Sequence, residues 1–305
     1  MLTRVNDLTA ARSMPGRYRH VLVPLDGSAL AAAVLPTARA LAGRLGIDTH
    51  VVSVAGSDDE VAALRAQVVA QFGTELDDAV SVVVDADPAA AIGRRRTEIE
   101  AVLCMSTHGH GRVVGAMIGS VARSLITSSP EPLVVLGPHA DRPTSLIRSG
   151  TVYRRPADWP TPLSQSALVA CVDGTPESEA TVSLGAEWAE SLGLTLTVLT
   201  VAEDVPPPVQ ANARNWRRFG VDDPEAYVSR LVDGAGGGQG VAGVVIYDPI
   251  GVAPGVDDYS ATESVALLAL TTSARSGLER LRFGATAADI VRNAAVAALI
   301  IPTSS

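Results

Sequence analysis

The sequence predicts an α/β protein made of two tandem, doubly wound domains, each with a five-stranded parallel sheet. Three observations carry this. Short apolar runs alternate with helix-period patterns along the chain, which is the βα alternation of a parallel sheet with right-handed crossovers. The pattern then recurs at an offset of 147 residues. Finally, no apolar run approaches the ~18 to 20 residues needed to cross a bilayer.

The elements of the first repeat follow in order. Residues His20-Val-Leu-Val-Pro-Leu25 read as a strand buried on both faces. Residues 29–45 place Leu30, Val34, Leu41 and Leu45 on one side, as a helix packed on a sheet requires. Pro36 is expected to kink that helix or mark an irregular turn. A strand at 50–54, a helix at 57–72, a strand at 80–85 and a helix at 88–98 come next. A strand at 101–106, a glycine-rich loop at 107–119, a helix at 120–129 and a strand at 133–137 complete the repeat.

The second repeat is visible residue by residue. Val23-Pro-Leu-Asp26-Gly27-Ser28 matches Ala170-Cys-Val-Asp173-Gly174-Thr175, and Gly46 and Val54 match Gly193 and Val201, all at the offset of 147. Gly119 pairs with Gly284 at an offset of 165, so the second repeat carries about 18 extra residues. These are assigned to 202–240, where Pro206-Pro-Pro208 and Gly234-Ala-Gly-Gly-Gly238 favour loops. The expected organisation is a tail at 1–16, a domain at 17–140, a proline-punctuated linker at 141–165 and a domain at 166–305. The last strand of each repeat, 133–137 and 298–302, is expected at a sheet edge. There it can pair across repeats, as an intramolecular pseudo-dimer, or across chains, as a homodimer.

Composition removes whole classes of chemistry. The chain has 305 residues, and all 24 of its basic side chains are arginine, so there is no lysine. A P-loop, a Schiff-base enzyme and a kinase of the usual kind each need one. The net charge of −9 disfavours nucleic acid as a partner. The first sixteen residues contain Arg4, Asp7 and Arg12 and no apolar core, so no signal peptide or membrane segment is expected and a cytoplasmic location is. Cys104 and Cys171 lie in apolar stretches and read as buried small hydrophobes.

The segment richest in chemistry is Ser106-Thr-His-Gly-His-Gly-Arg-Val-Val-Gly-Ala-Met-Ile-Gly119-Ser120-Val121. It joins a strand to a helix. The unpaired N–H groups and dipole of a helix start favour an anion at Gly119 and Ser120. Gly109 permits close backbone approach. Asp26, ending the first strand, lies on the same sheet edge, where open parallel sheets bind ligands. Each residue also has a plain structural role, a tight turn for the loop and a helix cap for Asp26. The spacing of Gly109, Gly111 and Gly115 misses the dinucleotide fingerprint. His108 and His110 lack an evident third ligand, so loop polarity or ligand contact is preferred over a metal site. Arg94-Arg-Arg96 reads as a solvated helix end.

The glycine spacing resembles the signature of the universal stress protein family, G-x2-G-x9-G-[S/T], with Gly109, nine intervening residues, then Gly119-Ser120. Val23-Pro-Leu-Asp26-Gly-Ser28 matches the family's V-x-x-D-x-S element, while Ser106 replaces the first signature glycine. The resemblance spans nearly the whole chain as two Rossmann-like copies. It implies an ATP-type ligand, with Mg2+ as an accompanying ion. Pro24 and Asp26 would lie near adenine and ribose, and Val54 would meet adenine through its backbone. Gly109, Gly119, Ser120 and Val121 would surround the phosphates. Arg112 is added on its position in the loop. A second, weaker site is expected at Asp173, Val201, Gly284 and Ala285. There Ala274 stands in the place of Gly109, and Ala285 has lost the Ser120 hydroxyl.

The function this implies is ATP binding linked to regulation of a stress response or dormancy through protein partners, with slow or no hydrolysis. The alternative is an AMP- or cyclic AMP-binding, or nucleotide-free, interaction module of the same fold. No nucleophile–base constellation has identifiable spacing, and all five histidines precede residue 140, so catalytic residues are not expected. A nucleotidyl-transferring enzyme is the third reading.

Overall fold

The structure is a computed structural model. It describes residues 15–72, 79–108, 118–140, 145–148, 151–154, 167–202, 223–235, 240–248, 250–272 and 283–302. Outside these lie residues 1–14 of the tail, Gly109, Arg112, the 206–208 and 236–238 loop signals, and the second repeat's loop with Ala274, while Pro15 and Gly16 form a helical turn with Arg17.

The first repeat runs β1 (His20–Pro24), α1 (Ala29–Ala32), α2 (Leu35–Leu45), β2 (Asp48–Ala55), α3 (Asp58–Phe72) and β3 (Val80–Val84). It continues with α4 (Pro88–Glu98), β4 (Ala101–Ser106), α5 (Ser120–Ser128) and β5 (Leu133–Leu136). A two-stranded antiparallel hairpin, β6 (Ser145–Arg148) and β7 (Thr151–Arg154), lies in the stretch expected to be an extended linker. The second repeat comprises β8 (Ala167–Cys171), α6 (Pro176–Leu192), β9 (Thr195–Ala202), α7 (Pro224–Gly234) and β10 (Val241–Tyr247). It ends with α8 (Val252–Thr262), β11 (Val265–Thr272), α9 (Ala285–Asn293) and β12 (Ala298–Pro302).

Local chemistry explains where the helices start. Asp87, Thr175 and Asp223 cap α4, α6 and α7, each accepting the amide three residues on, and a proline follows each cap. Pro36 acts as anticipated: the 29–45 helix is broken into α1 and α2 around Ala33-Val34, with the proline in the first turn of α2. Gly46 and Gly193 close α2 and α6 at equivalent places.

The strands form one sheet of ten, ordered β10-β9-β8-β11-β12-β5-β4-β1-β2-β3. Each repeat contributes five parallel strands, and the halves meet where β12 pairs antiparallel with β5 through Leu133↔Ile300, Val134↔Leu299 and Val135↔Ala298. The two sheets expected from sequence are therefore one. The edge strands LVVL and ALIIP are wholly buried, and an apolar edge left bare would be a pairing template. Helices cover both faces. One core layer unites Val21, Leu41, Val68, Trp188 and Leu231, and the other unites Leu22, Ile92, Ile126, Val256 and Val291. Each layer crosses the seam, so the repeats share their cores.

Further contacts tie the repeats together. Tyr18, just before β1, packs its ring 6.0 Å from that of Trp188 in α6. Burial pushes its phenol up to about 12. Arg44 Nη1 donates to Leu192 O at 2.5 Å. At Gly137 a Cβ would lie 1.8 Å from Val291 O, so only glycine lets the end of β5 rest on the end of α9.

The arginine run at 94–96 needs correction. Arg94 and Arg95 are partly exposed, but Arg96 is 4% exposed. It donates from Nε to Ala101 O at 3.2 Å, from Nη2 to Pro132 O at 2.8 Å, and from Nη1 to Ser129 Oγ. Nη2 also lies 3.2 Å from Glu131. Arg96 thus ties the start of β4 to the turn between α5 and β5, through one carbonyl of each and the Ser129 hydroxyl. Both cysteines are unpaired thiols in apolar surroundings. Burial raises Cys104 well above the usual thiol range and pushes Cys171 up to about 12.

Candidate functional site

Strand order reverses between β1 and β4, with β2 and β3 on one side and β5 on the other. Crossover connections leave in opposite directions from such a switch point and open a crevice at the carboxyl ends of the strands. The first repeat has a cavity of about 480 Å³ there. It is lined by Pro24, Leu25 and Asp26 of the β1 end, Val52 and Val54 of β2, Met105 to His108 of the β4 end, and Ile118 to Val121 at the start of α5. Of the first-site residues expected from sequence, Pro24, Asp26, Val54, Gly119, Ser120 and Val121 all meet in this one cavity. Gly109 and Arg112 lie outside the described residues.

One wall is apolar. Ile92 of α4, Met105, Ile118 and Leu125 of α5 face the cavity. Sequence reasoning passed over them because each reads as an ordinary core residue. Ile92 sits one turn after Pro88, which also lines the cavity, and this four-residue spacing was the signal available.

The other end is polar. Asp26 is exposed, and its Oδ1 accepts the Ser28 amide at 2.9 Å. Gly27, at φ +79°, makes the turn between them. Gln67 of α3 braces the turn by donating to Gly27 O at 2.9 Å. At the start of α5, the Gly119 amide donates to Thr107 O at 2.8 Å, and a Cβ at Gly119 would lie 3.2 Å from that oxygen. The glycine is therefore the point of close approach between β4 and α5, with its N–H already engaged. The first intrahelical bond there is Arg123 N to Gly119 O at 2.8 Å. The amides of Ser120, Val121 and Ala122 thus have no carbonyl in their own helix and sit at its positive end.

His108 also lines the cavity, 2.8 Å from Thr107 Oγ1 through Nδ1. Thr107 Oγ1 also lies 3.3 Å from Leu136 O. Among the described residues no group of three or more His, Cys, Asp or Glu side chains is placed to hold a metal.

The second repeat keeps the turn and alters the cleft. Asp173 Oδ1 accepts from Thr175 N at 3.1 Å and from Thr175 Oγ1 at 2.6 Å, and Gly174 has φ +84°. Tyr227 replaces Gln67 as the brace, its hydroxyl accepting the Gly174 amide at 3.1 Å. Gly284 caps α9 as Gly119 caps α5, but among the described residues a Cβ at Gly284 would meet nothing within 4 Å. At Val201, the counterpart of Val54, α8 lies close: a Cβ at Gly255 would be 2.9 Å from Val201 Cγ1 and 3.2 Å from Asp248 Cβ. In α4 the same position is Ala91, itself buried.

The sequence model of the Universal stress protein family matches residues 17–137 and again 166–302. Among solved structures, a putative universal stress protein from Pseudomonas aeruginosa UCBPP-PA14 is 16% identical, with 94% of each chain covered and a TM-score of 0.58. A universal stress protein from Archaeoglobus fulgidus DSM 4304 is 13% identical, with 94% of this chain and 100% of that one covered and a TM-score of 0.61. A universal stress protein solved in complex with cAMP is 17% identical, covering 46% of this chain and 99% of that one, with a TM-score of 0.37. Curated protein sequences returned no match. With the family's sequence model matching both halves and one tandem α/β sheet, the chain belongs to the universal stress protein family.

Proposed function

We propose that the first-repeat cavity binds an adenine nucleotide, ATP foremost, and that binding serves regulation of a stress response or dormancy. The single observation that carries this is the join of three chemistries in one cleft. An apolar wall (Ile92, Met105, Ile118) suits a base, a carboxylate (Asp26) suits ribose hydroxyls, and the α5 amides suit phosphates. Val54 offers its backbone to the base, and Pro24 the flank. Gly109 and Arg112 would complete the phosphate end. Mg2+ would arrive on the phosphates, its usual mode of binding beside only one or two carboxylates.

The second cleft, at Asp173, Val201, Gly284 and Ala285, binds more weakly or not at all, because α8 rests on Val201 and the Ser120 hydroxyl is missing. The protein works by occupancy, with slow or no hydrolysis, in the cytoplasm. No helix among the described residues is long and apolar enough to cross a membrane.

Calorimetric titration of the full chain with ATP tests this. One saturable ATP per chain is expected. No saturation removes the proposal, and two equal sites remove the ranking of the clefts. Competition with AMP and cyclic AMP separates ATP from the alternative ligands. Fast turnover in a phosphate-release assay would restore the enzyme reading.

A further inference from the structure

β10 is one outer strand of the sheet and β3 the other. β10 is the longer, seven residues (VAGVVIY) against five (VSVVV). Its pairing with β9 is continuous from Val241 to Tyr247, with no bulge. Ala242, Gly243 and Tyr247 are exposed, and Ile250 just beyond is 57% exposed. Among the described residues only Val84, Tyr247 and Ile250 are large exposed hydrophobics, and two of them sit at this strand's end. Edge strands are ordinarily blunted by a charge, especially lysine, by a proline or by a bulge. β10 carries none of these, in a chain that has no lysine at all.

We infer that β10 is an assembly surface, pairing antiparallel with β10 of a second chain about a twofold axis. Centred on Val244, that pairing sets Gly243 opposite Val245, Ala242 opposite Ile246 and Val241 opposite Tyr247. At every step off the axis the smaller side chain meets the larger, so the strand is complementary to itself. The chain already uses the same bond internally, where the apolar edges β5 and β12 pair antiparallel. A twofold contact closes on itself at two chains, whereas pairing β10 with β3 of another chain would run head to tail into rings or open filaments. The net charge of −9 opposes association over distance, while the edge itself is uncharged. Added salt therefore tightens the dimer by screening.

Sedimentation of the full chain over a concentration series is the test. A monomer–dimer equilibrium that strengthens with salt is expected. Val244→Lys places two like charges face to face across the axis and raises the dissociation constant by at least about tenfold. Ala242→Lys, at an exposed position, weakens association in the same direction and decides the matter if Val244→Lys fails to fold. Val84→Lys, on the β3 edge, leaves association unchanged. Hydrogen exchange on the unmodified chain adds a second reading, with β10 amides gaining protection as concentration rises. A chain that stays monomeric up to about 200 μM, association that Val84→Lys abolishes and Ala242→Lys does not, open polymers, or weakening by salt would each overturn the inference.

Discussion

The two repeats hold the same Asp-Gly turn, closed by Ser28 in one and Thr175 in the other, and build different clefts. In the first, α5 is drawn onto β4 through Gly119 and Thr107, and a cavity opens between them and the ends of β1 and β2. In the second, a Cβ at Gly284 meets no described residue within 4 Å, and α8 is drawn onto Val201 instead. A duplicated motif therefore does not duplicate a site. What matters is where each half spends its closest helix–strand approach, at the phosphate end or at the base end.

The largest expected effect tests whether the halves are one unit. Gly137→Ala forces a Cβ into Val291 O and should cost more than about 3 kcal/mol, read as a single cooperative loss of stability in urea. A two-step transition would mean that the repeats fold independently. Next is a buried difference between them. Arg96→Ala strips hydrogen bonds from the turn before β5 and leaves Glu131 without its buried partner, costing about 3 kcal/mol. At the equivalent place in α8 stands Ser260, fully buried, its hydroxyl donating within its helix to Asp257 O at 3.0 Å. Ser260→Ala should cost under about 1 kcal/mol.

Affinity sharpens the contrast between clefts. Asp26→Ala should weaken ATP binding at least about tenfold by removing charge-assisted hydrogen bonds, while Asp173→Ala leaves the titration unchanged. Equal losses would show two working sites. Smaller still, Gly119→Ala crowds Thr107 O at 3.2 Å. It should lose about 0.5–1 kcal/mol of binding, with Gly284→Ala silent in the same assay.

The smallest effect is a pH dependence confined to the first repeat. His50 of β2 packs edge-on against His20, ring centroids 4.4 Å apart. Burial, helped by the His20 and Arg95 charges, holds its pKa below the usual 6.5. The unfolded chain then takes up the proton first, so stability is lost as pH falls below 6.5 and is unaffected well above it. The matching residue in the second repeat is Thr197. His50→Thr should flatten the difference in urea midpoint between about pH 7.5 and about pH 5.5.

Much of this was readable from residues. Asp26-Gly-Ser28 and Asp173-Gly-Thr175 announce a strand–turn–helix because their side chains cap locally, within five residues. Pro36 announces a break because its ring acts on its own backbone. Gly119-Ser120 announces a helix start for the same reason. Arg96 was not readable: in a run of three arginines at a helix end nothing local marks one as buried. Two of its partners, Ser129 and Pro132, arrive from another helix–strand turn. Ile92, Met105 and Ile118 looked like core, and they are core on every side but one.

By itself, then, the sequence determined the alternation of strands and helices, the duplication, the turn chemistry and the absence of any lysine-dependent mechanism. These depend on periodicity, spacing and composition, which act within a few residues or not through geometry at all. Tertiary structure alone decided that ten strands make one sheet, that Arg96 is internal, and that the first cleft stands open while α8 presses on the second. Each of those rests on whether two backbones far apart in the chain come close enough to exclude a Cβ, and no local pattern encodes that distance.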